Sequence, residues 1–452
     1  MSRLKNSLLP RALVLAGAVL AGCATYQPLP LQEGRPADLV VDRRSLPFPA
    51  LAAHVFNPDD GLDMVEVAML AVVNNPELRL ARDDAALAHA QSFAAGLLPD
   101  PQLALSRDLS NSGGGPDATR AFSLGLSYDI GALLTHASLH DAAERDADKT
   151  DLTLLWQEWQ VAAQAQLLFV KLSLGRLQMA VLHQTRQLWA ERQARTNQAL
   201  ERGLLSSDAA APALAALQDA ERQIFELNKQ LNQNAHDLNA LLGLAPDTVL
   251  ELQAGVAAAV DPAQVQSALA ALAQRRPDLR ALQAAYLAED QRYRGALLAQ
   301  FPSLNVGLTR ARDTSNVYSN GIGINLSLPF LNRNRGNVAI ELATRQKAHD
   351  EYQVRVDAAR NEVRRILDEQ ALNLAQIEQL DAALRTLEAT QARSDSAYRA
   401  GNADAMAYAT VRSVLLAKRL ERLALQQAVL EQRVGLRTLL GIDMTTIEGS
   451  KP

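Results

Sequence analysis

The chain has 452 residues, of which 48% are hydrophobic and only 4% aromatic, and its formal net charge is −5. This mild negative charge, with no basic surface, argues against a nucleic-acid-binding protein. Frequent alanine, leucine and glutamine favour long helices that pack closely through small side chains over a large aromatic core.

The N-terminus has the features of an export signal. A basic start precedes a short apolar run from Ala12 to Ala21, which is too short to span a bilayer as a helix. Leu20–Cys23 matches the bacterial lipobox, in which the cysteine becomes the lipidated first residue, and Ala24 after it favours the outer membrane. An ordinary signal peptide with a chance cysteine is the alternative. Because Cys23 is the only cysteine, no disulfide or thiolate metal site is possible.

Two similar segments follow, about two hundred residues apart. Pro76–Arg79 aligns with Pro277–Arg280, and Leu241–Leu244 aligns with Leu439–Ile442. A period of this length predicts a duplicated domain. In each copy the pattern predicts a helix, a β-hairpin, a long helix, a turn and a returning helix.

The predicted hairpins cover 101–130 and 302–329, and their residues alternate between apolar and small or polar. The residues expected on the apolar face are Phe122, Leu124, Leu126, Leu304, Val306, Leu308, Ile322, Ile324 and Leu326. This alternation is typical of transmembrane β-strands that face lipid on one side and water on the other. A soluble sheet on a core would give the same pattern. Since four strands cannot close a barrel, a membrane interpretation requires several subunits.

The helices carry heptad repeats that predict coiled-coil packing. The long helices are expected at about Ala137–Arg202 and Asn332–Ala400, and at 1.5 Å per residue each would span about 100 Å. The helices before the hairpins, about Leu62–Leu98 and Pro277–Gln300, are shorter. A short helix and a returning helix stacked end to end would match one long helix. Such units predict the wall of a tall hollow tube.

The lipobox, the duplicated units, the paired entry motifs and the exit segment LSLPFLNRNRGN at Leu326–Asn337 together resemble the TolC-like outer-membrane efflux factors. The resemblance extends from about Leu62 to Asp443. It implies a mainly α fold with a pair of transmembrane β-hairpins per protomer, in which three protomers complete a coiled-coil α-barrel and a twelve-stranded β-barrel. The exit segment is more similar to the cation-efflux branch than to the drug-efflux branch.

The resemblance also implies a division of the chain. The expected segments are a signal peptide at 1–22, a lipidated N-terminal segment at 23–61, a first efflux repeat at 62–243, an equatorial linker at 244–275, a second efflux repeat at 276–443 and a C-terminal tail at 444–452. The two repeats would each turn at a periplasmic tip, near 203 and near 401. These glycine turns are also explained by helix caps with positive φ, without any partner.

The implied function is a passive exit duct of a tripartite efflux system for heavy-metal cations or drugs. The implied partners are two further copies in a homotrimer, outer-membrane lipid, a periplasmic adaptor and an inner-membrane pump of the resistance–nodulation–division type, without nucleic acid or cofactor. The residues expected to dock the adaptor are Gly203, Leu204, Ser207, Asp208, Gly401, Asn402, Ala403 and Asp404. Several family members carry a ring of aspartates just past the second tip, where this chain has Ala407 and Thr410.

Other functions have less support in the sequence. His136 and His140 lie four residues apart, a spacing that could hold a metal on one helix face, although a polar helix start is the favoured interpretation. The sequence contains no HExxH, P-loop, GxGxxG or nucleophile-elbow motif, so an enzyme is not expected. A channel for type I protein secretion and a structural coiled-coil lipoprotein of the envelope are the alternatives.

Overall fold

The structure is a computed structural model that describes residues 26–31, 34, 36–108, 120–253, 256–402, 404–442 and 447–448. The expected signal peptide, Cys23, Ala403 and all of the tail except 447–448 lie outside these residues. The chain divides into two units, residues 1–36 and residues 37–452. The described part of the first unit contains no helix or strand.

The second unit begins with α1 (Pro49–Ala53) and α2 (Met64–Asn74). Nine consecutive residues of α2, Met64–Val72, are buried, and all of them except Glu66 are apolar, so this helix is buried on every side. A capping box starts it: the Asp63 carboxylate accepts from the Glu66 amide at 2.8 Å, and the Glu66 carboxylate accepts from the Asp63 amide at 2.8 Å. This helix is therefore the centre of the largest apolar core.

The first repeat consists of α3 (Pro76–Gly96), β1 (Gln102–Asp108), β2 (Ala121–Asp129), α4 (Ile130–Glu201) and α5 (Ser207–Leu241). A connecting region contains β3 (Val256–Ala257), α6 (Pro262–Ala270) and α7 (Leu272–Arg275). The second repeat consists of α8 (Pro277–Leu298), β4 (Ser303–Arg312), β5 (Tyr318–Ser327), α9 (Arg335–Arg399) and α10 (Ala405–Leu440). The short strand β6 (Ile447–Glu448) pairs with β3.

Two boundaries differ from the sequence prediction. The helix expected at Leu62–Leu98 is broken at Asn75, whose side chain accepts from the Leu78 amide at 2.9 Å and caps α3. The helix expected to start near Ala137 starts at Ile130, because Asp129 at the end of β2 caps it at the Ala132 amide. The strand therefore continues directly into the helix without a loop.

The main sheet has four antiparallel strands in the order β1-β2-β4-β5. The helices next to the sheet follow the same order, since α3 packs on α4, α4 on α8 and α8 on α9. In the half of the helical region that contains the returning helices, the order is α5-α4-α10-α9. The strand β1 and the helices α3 and α5 therefore lie at one edge, and β5 and α9 lie at the other.

The returning helix of each repeat ends against the start of the short helix of the same repeat. A Schellman cap at Gly243, with φ of 64°, ends α5, and the Asn75 amide group donates to the carbonyl of Leu241 at 3.0 Å. Gly441, also with φ of 64°, ends α10, and Arg275 donates to the Gly441 carbonyl at 3.0 Å. The stacking of two shorter helices beside each long helix is the arrangement that the helix lengths predicted.

Candidate functional site

One face of the four-stranded sheet is apolar and uncovered. Residues paired across strands share a face, and the register pairs Leu126 with Leu308 and Leu308 with Ile322. All nine residues predicted on the apolar face lie on this face, and Leu103 and Leu105 of β1 extend it, although the sequence prediction did not include them. A continuous apolar surface of this kind marks a protein or membrane contact.

The opposite face of the sheet has a different composition. Its residues are small or polar, among them Ser123, Gly125, Asn305, Gly323 and Asn325. The only charged side chains among the described residues of this face are Asp108 and Asp129, at its two ends. This face suits contact with water.

Both edges of the sheet are open in the single chain. Among the described residues, β1 and β5 each pair with one neighbouring strand. An edge strand presents unpaired backbone N–H and C=O groups, which in a membrane must be satisfied by another strand. In a membrane the sheet therefore needs further strands at both edges.

The two tips are tight helix-to-helix turns. Gly203 and Gly401 have φ of 70° and 74°, and an added Cβ at either would meet nothing within 4 Å. The amide of Leu204 donates to the Ala199 carbonyl, and the amide of Asn402 donates to the Ala397 carbonyl, both at 2.8 Å. Both turns are thus Schellman caps, and the glycines are required by the backbone rather than by a close neighbour.

The tips expose several of the residues that were predicted to dock a partner. Leu204 is 72% exposed, and the side chains of Asp208, Asn402 and Asp404 are also exposed. Ser207 is the first residue of α5. The tips therefore present exposed apolar side chains, such as Leu204 and Leu205, and the carboxylates of Asp208 and Asp404 to their surroundings.

An aromatic pair closes the second tip. The rings of Tyr398 and Tyr408 stack with centroids 4.5 Å apart, and Arg412 donates to the Tyr408 hydroxyl at 2.8 Å. The guanidinium of Arg195 on α4 lies 5.5 Å from the Tyr398 ring centroid. A cavity of about 380 Å³ beside this cluster is lined by α4 and α10 residues, including Asp404. The sequence prediction did not single out this cluster.

Two buried ion pairs fix the helices near the repeat starts. Arg82 of α3 donates to Glu158 of α4 at 2.9 Å, and burial raises the pKa of the Glu158 carboxyl even though Arg82 opposes the shift. Arg276 is fully buried, donates to both Asp278 oxygens at 2.9 and 2.7 Å and stacks on the Trp156 ring at 4.8 Å. The first pair joins α3 to α4, and the contact with Trp156 joins Arg276 to α4, so both arginines have a structural role.

The predicted histidine pair is stacked. The rings of His136 and His140 have centroids 6.2 Å apart, and His140 lies 3.3 Å from a Glu144 oxygen. Two ring nitrogens of this pair are buried, Nε2 of His136 and Nδ1 of His140. Neither has a hydrogen-bond partner among the residues that the structure describes. Within the described parts of the chain, no group of three or more histidine, aspartate or glutamate side chains is arranged to hold a metal ion.

One helix, α4, contains a window of 18 residues that is apolar enough to cross a membrane by length and composition. Half of this window is buried within the protein, because α4 packs against α2, α3, α5, α8 and α10. The apolar content of α4 is therefore accounted for by its central position in the helical layer.

Comparison with known protein families finds one match in the second half of the chain. Residues 268–442 match the family model of the outer membrane efflux proteins. No match was found among the curated proteins.

Solved structures share the fold over nearly the whole chain. The crystal structure of the channel CusC is 20% identical, with a TM-score of 0.70 over 91% of this chain and 99% of that chain. The CmeC outer membrane channel of Campylobacter jejuni is 16% identical, with a TM-score of 0.68 over 94% and 96%. The open state of the MtrE outer membrane channel of Neisseria gonorrhoeae is 18% identical, with a TM-score of 0.67 over 85% and 91%. The chain therefore shares the fold of these outer-membrane channels, and its residues 268–442 match the outer membrane efflux protein family.

Proposed function

We propose that the protein is the outer-membrane channel of a tripartite efflux system and works as a homotrimer. The observation that carries this proposal is the common order of strands and helices, which leaves the sheet and the helical layers open at the same two edges. The β5–α9 edge of one protomer meets the β1–α3–α5 edge of the next. Because the two edges differ, the contact is heterologous, and such contacts close into a ring when the rotation allows it.

Exposed apolar side chains support this contact. Leu80 and Leu87 on α3 are exposed at one edge, and Ile340 and Val354 on α9 are exposed at the other. A monomer would leave these side chains in water, whereas a ring of protomers buries them at a gain of about 25 cal/mol per Å².

The apolar sheet face places the barrel in the outer membrane. Its leucine and isoleucine side chains contact lipid, and the face with Asn305 and Asn325 lines the water-filled duct. The helices then extend into the periplasm, where α4 with its 72 residues spans about 108 Å. Lipidation of Cys23 adds an anchor at the membrane surface.

The tips meet a periplasmic adaptor that is bound to an inner-membrane pump of the resistance–nodulation–division type. Leu204 supplies an exposed apolar contact, and Asp208 and Asp404 supply charges that a basic partner surface would complement. Each tip is a helical hairpin, so the partner surface that fits it is a second helical hairpin packed in coiled-coil fashion.

Heavy-metal cations are the cargo class that the duct suits best, with drugs as the second. Asp108 and Asp129 share the face of Asn305, the proposed water-facing side, while Arg107, Arg310 and Arg312 share the apolar face, the proposed lipid-facing side. A duct lined by carboxylates attracts cations and repels anions through its local field.

Two experiments test this function. The purified protein, added to a planar lipid bilayer, should form discrete conductance steps with a preference for potassium over chloride. Asp108→Asn/Asp129→Asn should reduce the preference while keeping the conductance steps, because it removes the charges of the lining but not the barrel. A preparation without conductance would contradict the channel.

Deletion of the gene identifies the cargo. Growth is titrated against zinc, cobalt, cadmium, copper and several lipophilic drugs, with and without a plasmid copy of the gene. Selective metal sensitivity is the expected result, and selective drug sensitivity would reassign the channel to drug efflux. Sensitivity to neither would favour protein secretion.

A further inference from the structure

The lipid-facing side of the sheet ends in a group of arginines. The last row of the sheet that is apolar throughout contains Leu103, Leu126, Leu308 and Ile322. The next row contains Leu105, Leu124, Arg310 and Asn320, and the row after it contains Arg107, Phe122, Arg312 and Tyr318. Two residues along a strand span about 7 Å, so the arginines lie immediately beyond the apolar surface.

These arginines are at the extracellular end of the barrel. The strands β1 and β4 run away from the helices towards the turns that join them to β2 and β5. Arg107 and Arg312 lie next to these turns. Every arginine of the four strands is therefore on the lipid side, at the end furthest from the periplasm.

Aromatic rings hold one arginine in place. The guanidinium of Arg312 lies 5.4 Å from the Phe122 ring centroid and 6.0 Å from the Tyr318 ring centroid, and its Nη2 donates to the carbonyl of Arg120 at 2.8 Å. The two rings meet edge to face with centroids 6.4 Å apart. Arg312 is thus fixed between two aromatic side chains of the kind that lie at membrane interfaces.

Among the residues that the structure describes, Arg107, Arg310 and Arg312 form no ion pair with a carboxylate. Arg310 and Arg312 are two residues apart on β4, and Arg107 lies in the row of Arg312 with Phe122 of β2 between them, about 10 Å away, so three long side chains can converge on one group. An outward-facing arginine is costly at mid-bilayer but not at the interface, where it meets lipid headgroups.

We propose that Arg107, Arg310 and Arg312, with Phe122 and Tyr318, form a binding site for the phosphate groups of a phosphorylated glycolipid of the outer leaflet. Guanidinium groups bind phosphate through paired, charge-assisted hydrogen bonds. The apolar rows below receive the acyl chains of the same molecule. The site fixes the depth of the barrel in the membrane, and the inference rests on the proposed function because it requires an inserted barrel.

The test measures binding of bisphosphorylated lipid A to the detergent-solubilised protein by native mass spectrometry, with fully dephosphorylated lipid A as the reference probe. The wild type should prefer the phosphorylated form. Arg310→Gln should weaken that binding about tenfold, since it removes one charge-assisted contact. The triple variant Arg107→Gln/Arg310→Gln/Arg312→Gln should weaken it by about a hundredfold or more.

The matched control is Arg333→Gln/Arg335→Gln. These two exposed arginines lie at the start of α9, beyond the opposite end of the sheet, and their loss should leave lipid A binding unchanged. Equal binding of both lipid forms by the wild type would overturn the inference. So would an equal loss of binding in the control variant, because the effect would then depend on total charge alone.

Conductance in planar bilayers, recorded on the same preparations, separates the two proposals. A wild type that conducts but shows no preference for phosphorylated lipid A overturns the lipid site and leaves the channel standing. A wild type that does not conduct overturns both. A triple variant that conducts but has lost the preference supports both.

Discussion

The two copies of the repeat begin their short helices in different ways. In the first copy the buried amide of Asn75 caps α3 and joins it to the end of α5 at Leu241. In the second copy the equivalent position is Arg276, which is fully buried and bound to Asp278. We call the contact between the end of the returning helix and the start of the short helix the joint of each repeat. The first joint thus contains a neutral amide, and the second contains a buried cation.

The surroundings of the joints explain the difference. The first joint follows helix α2, whose buried side chains are apolar except for Glu66 and form the centre of the largest apolar core. At the second joint, Arg355 and Glu362 of α9 extend the ion pair of Arg276 and Asp278 into a network of four charged groups. Equivalent positions of the two repeats can therefore satisfy their polar groups in different ways, by hydrogen bonds of a neutral amide in one and by a network of ion pairs in the other.

The largest expected effect is at the second joint. Arg276→Met should destabilise the protein by about 3–5 kcal/mol, because it leaves Asp278 without its buried partner. Asn75→Ala, the matched change in the first copy, removes a neutral helix cap and should cost about 1–2 kcal/mol. Thermal unfolding in detergent, followed by circular dichroism, measures both. Equal losses would mean that the two joints are energetically alike.

The sheet offers a second comparison between the copies. Leu126 and Leu326 are expected to face lipid in the first and second copy, so replacement of either by arginine should cost about 2–4 kcal/mol near the centre of the bilayer. Asn325→Arg, on the water-facing side, is the control and should cost less. The measurement is the yield of folded protein in the outer membrane. If Asn325→Arg were as damaging as Leu326→Arg, the assignment of the faces would be wrong.

Replacement by alanine should be more damaging at the glycine of the first joint than at the glycine of the second. A Cβ at Gly243 would lie 2.7 Å from the backbone oxygen of Asn74, whereas a Cβ at Gly441 would lie 3.2 Å from the Cβ of Arg275. Both positions have positive φ, which costs about 1–2 kcal/mol for alanine. Gly243→Ala should therefore lower the thermal midpoint more than Gly441→Ala, because a backbone atom can shift less than a side chain. The reverse order would contradict the geometry of the joints.

The smallest effect concerns the buried Glu158 of the first copy. Burial raises the pKa of this carboxyl, so the folded state favours its protonated form. The resulting stabilisation is fully present below the ordinary pKa of glutamate and is lost as the pH rises through the raised value. The stability of the wild type relative to Glu158→Gln should therefore increase as the pH falls from 7 towards 4. A difference that is independent of pH would show that Glu158 does not titrate in this range.

Much of the fold could be predicted because its repeating patterns are local. Apolar residues at heptad spacing on the two long helices are buried between helices, among them Leu168, Leu182, Val356, Val363 and Leu384. The alternation of strand residues correctly grouped the nine apolar side chains of the sheet. Both patterns follow from the periods of the helix and the strand alone.

The remaining features depend on contacts between distant residues. The break at Asn75 was missed because the apolar pattern continues across it, although proline at the next position is a typical first residue of a helix. Arg276 has the sequence context of a surface charge, and its burial depends on Trp156 and α9, which are distant in the sequence. The aromatic cluster at the second tip likewise requires Arg195 from the first repeat.

The most direct test of the central claim is whether the two open edges meet between protomers. Ala104→Cys on β1 and Asn325→Cys on β5 are introduced into one chain that also carries Cys23→Ser, and the outer membranes are treated with a thiol cross-linker of about 10 Å. The double variant should give covalent dimers and trimers and no larger species, while each single variant should give only monomers. Monomers alone from the double variant, or a ladder that continues past three chains, would contradict a closed trimeric barrel.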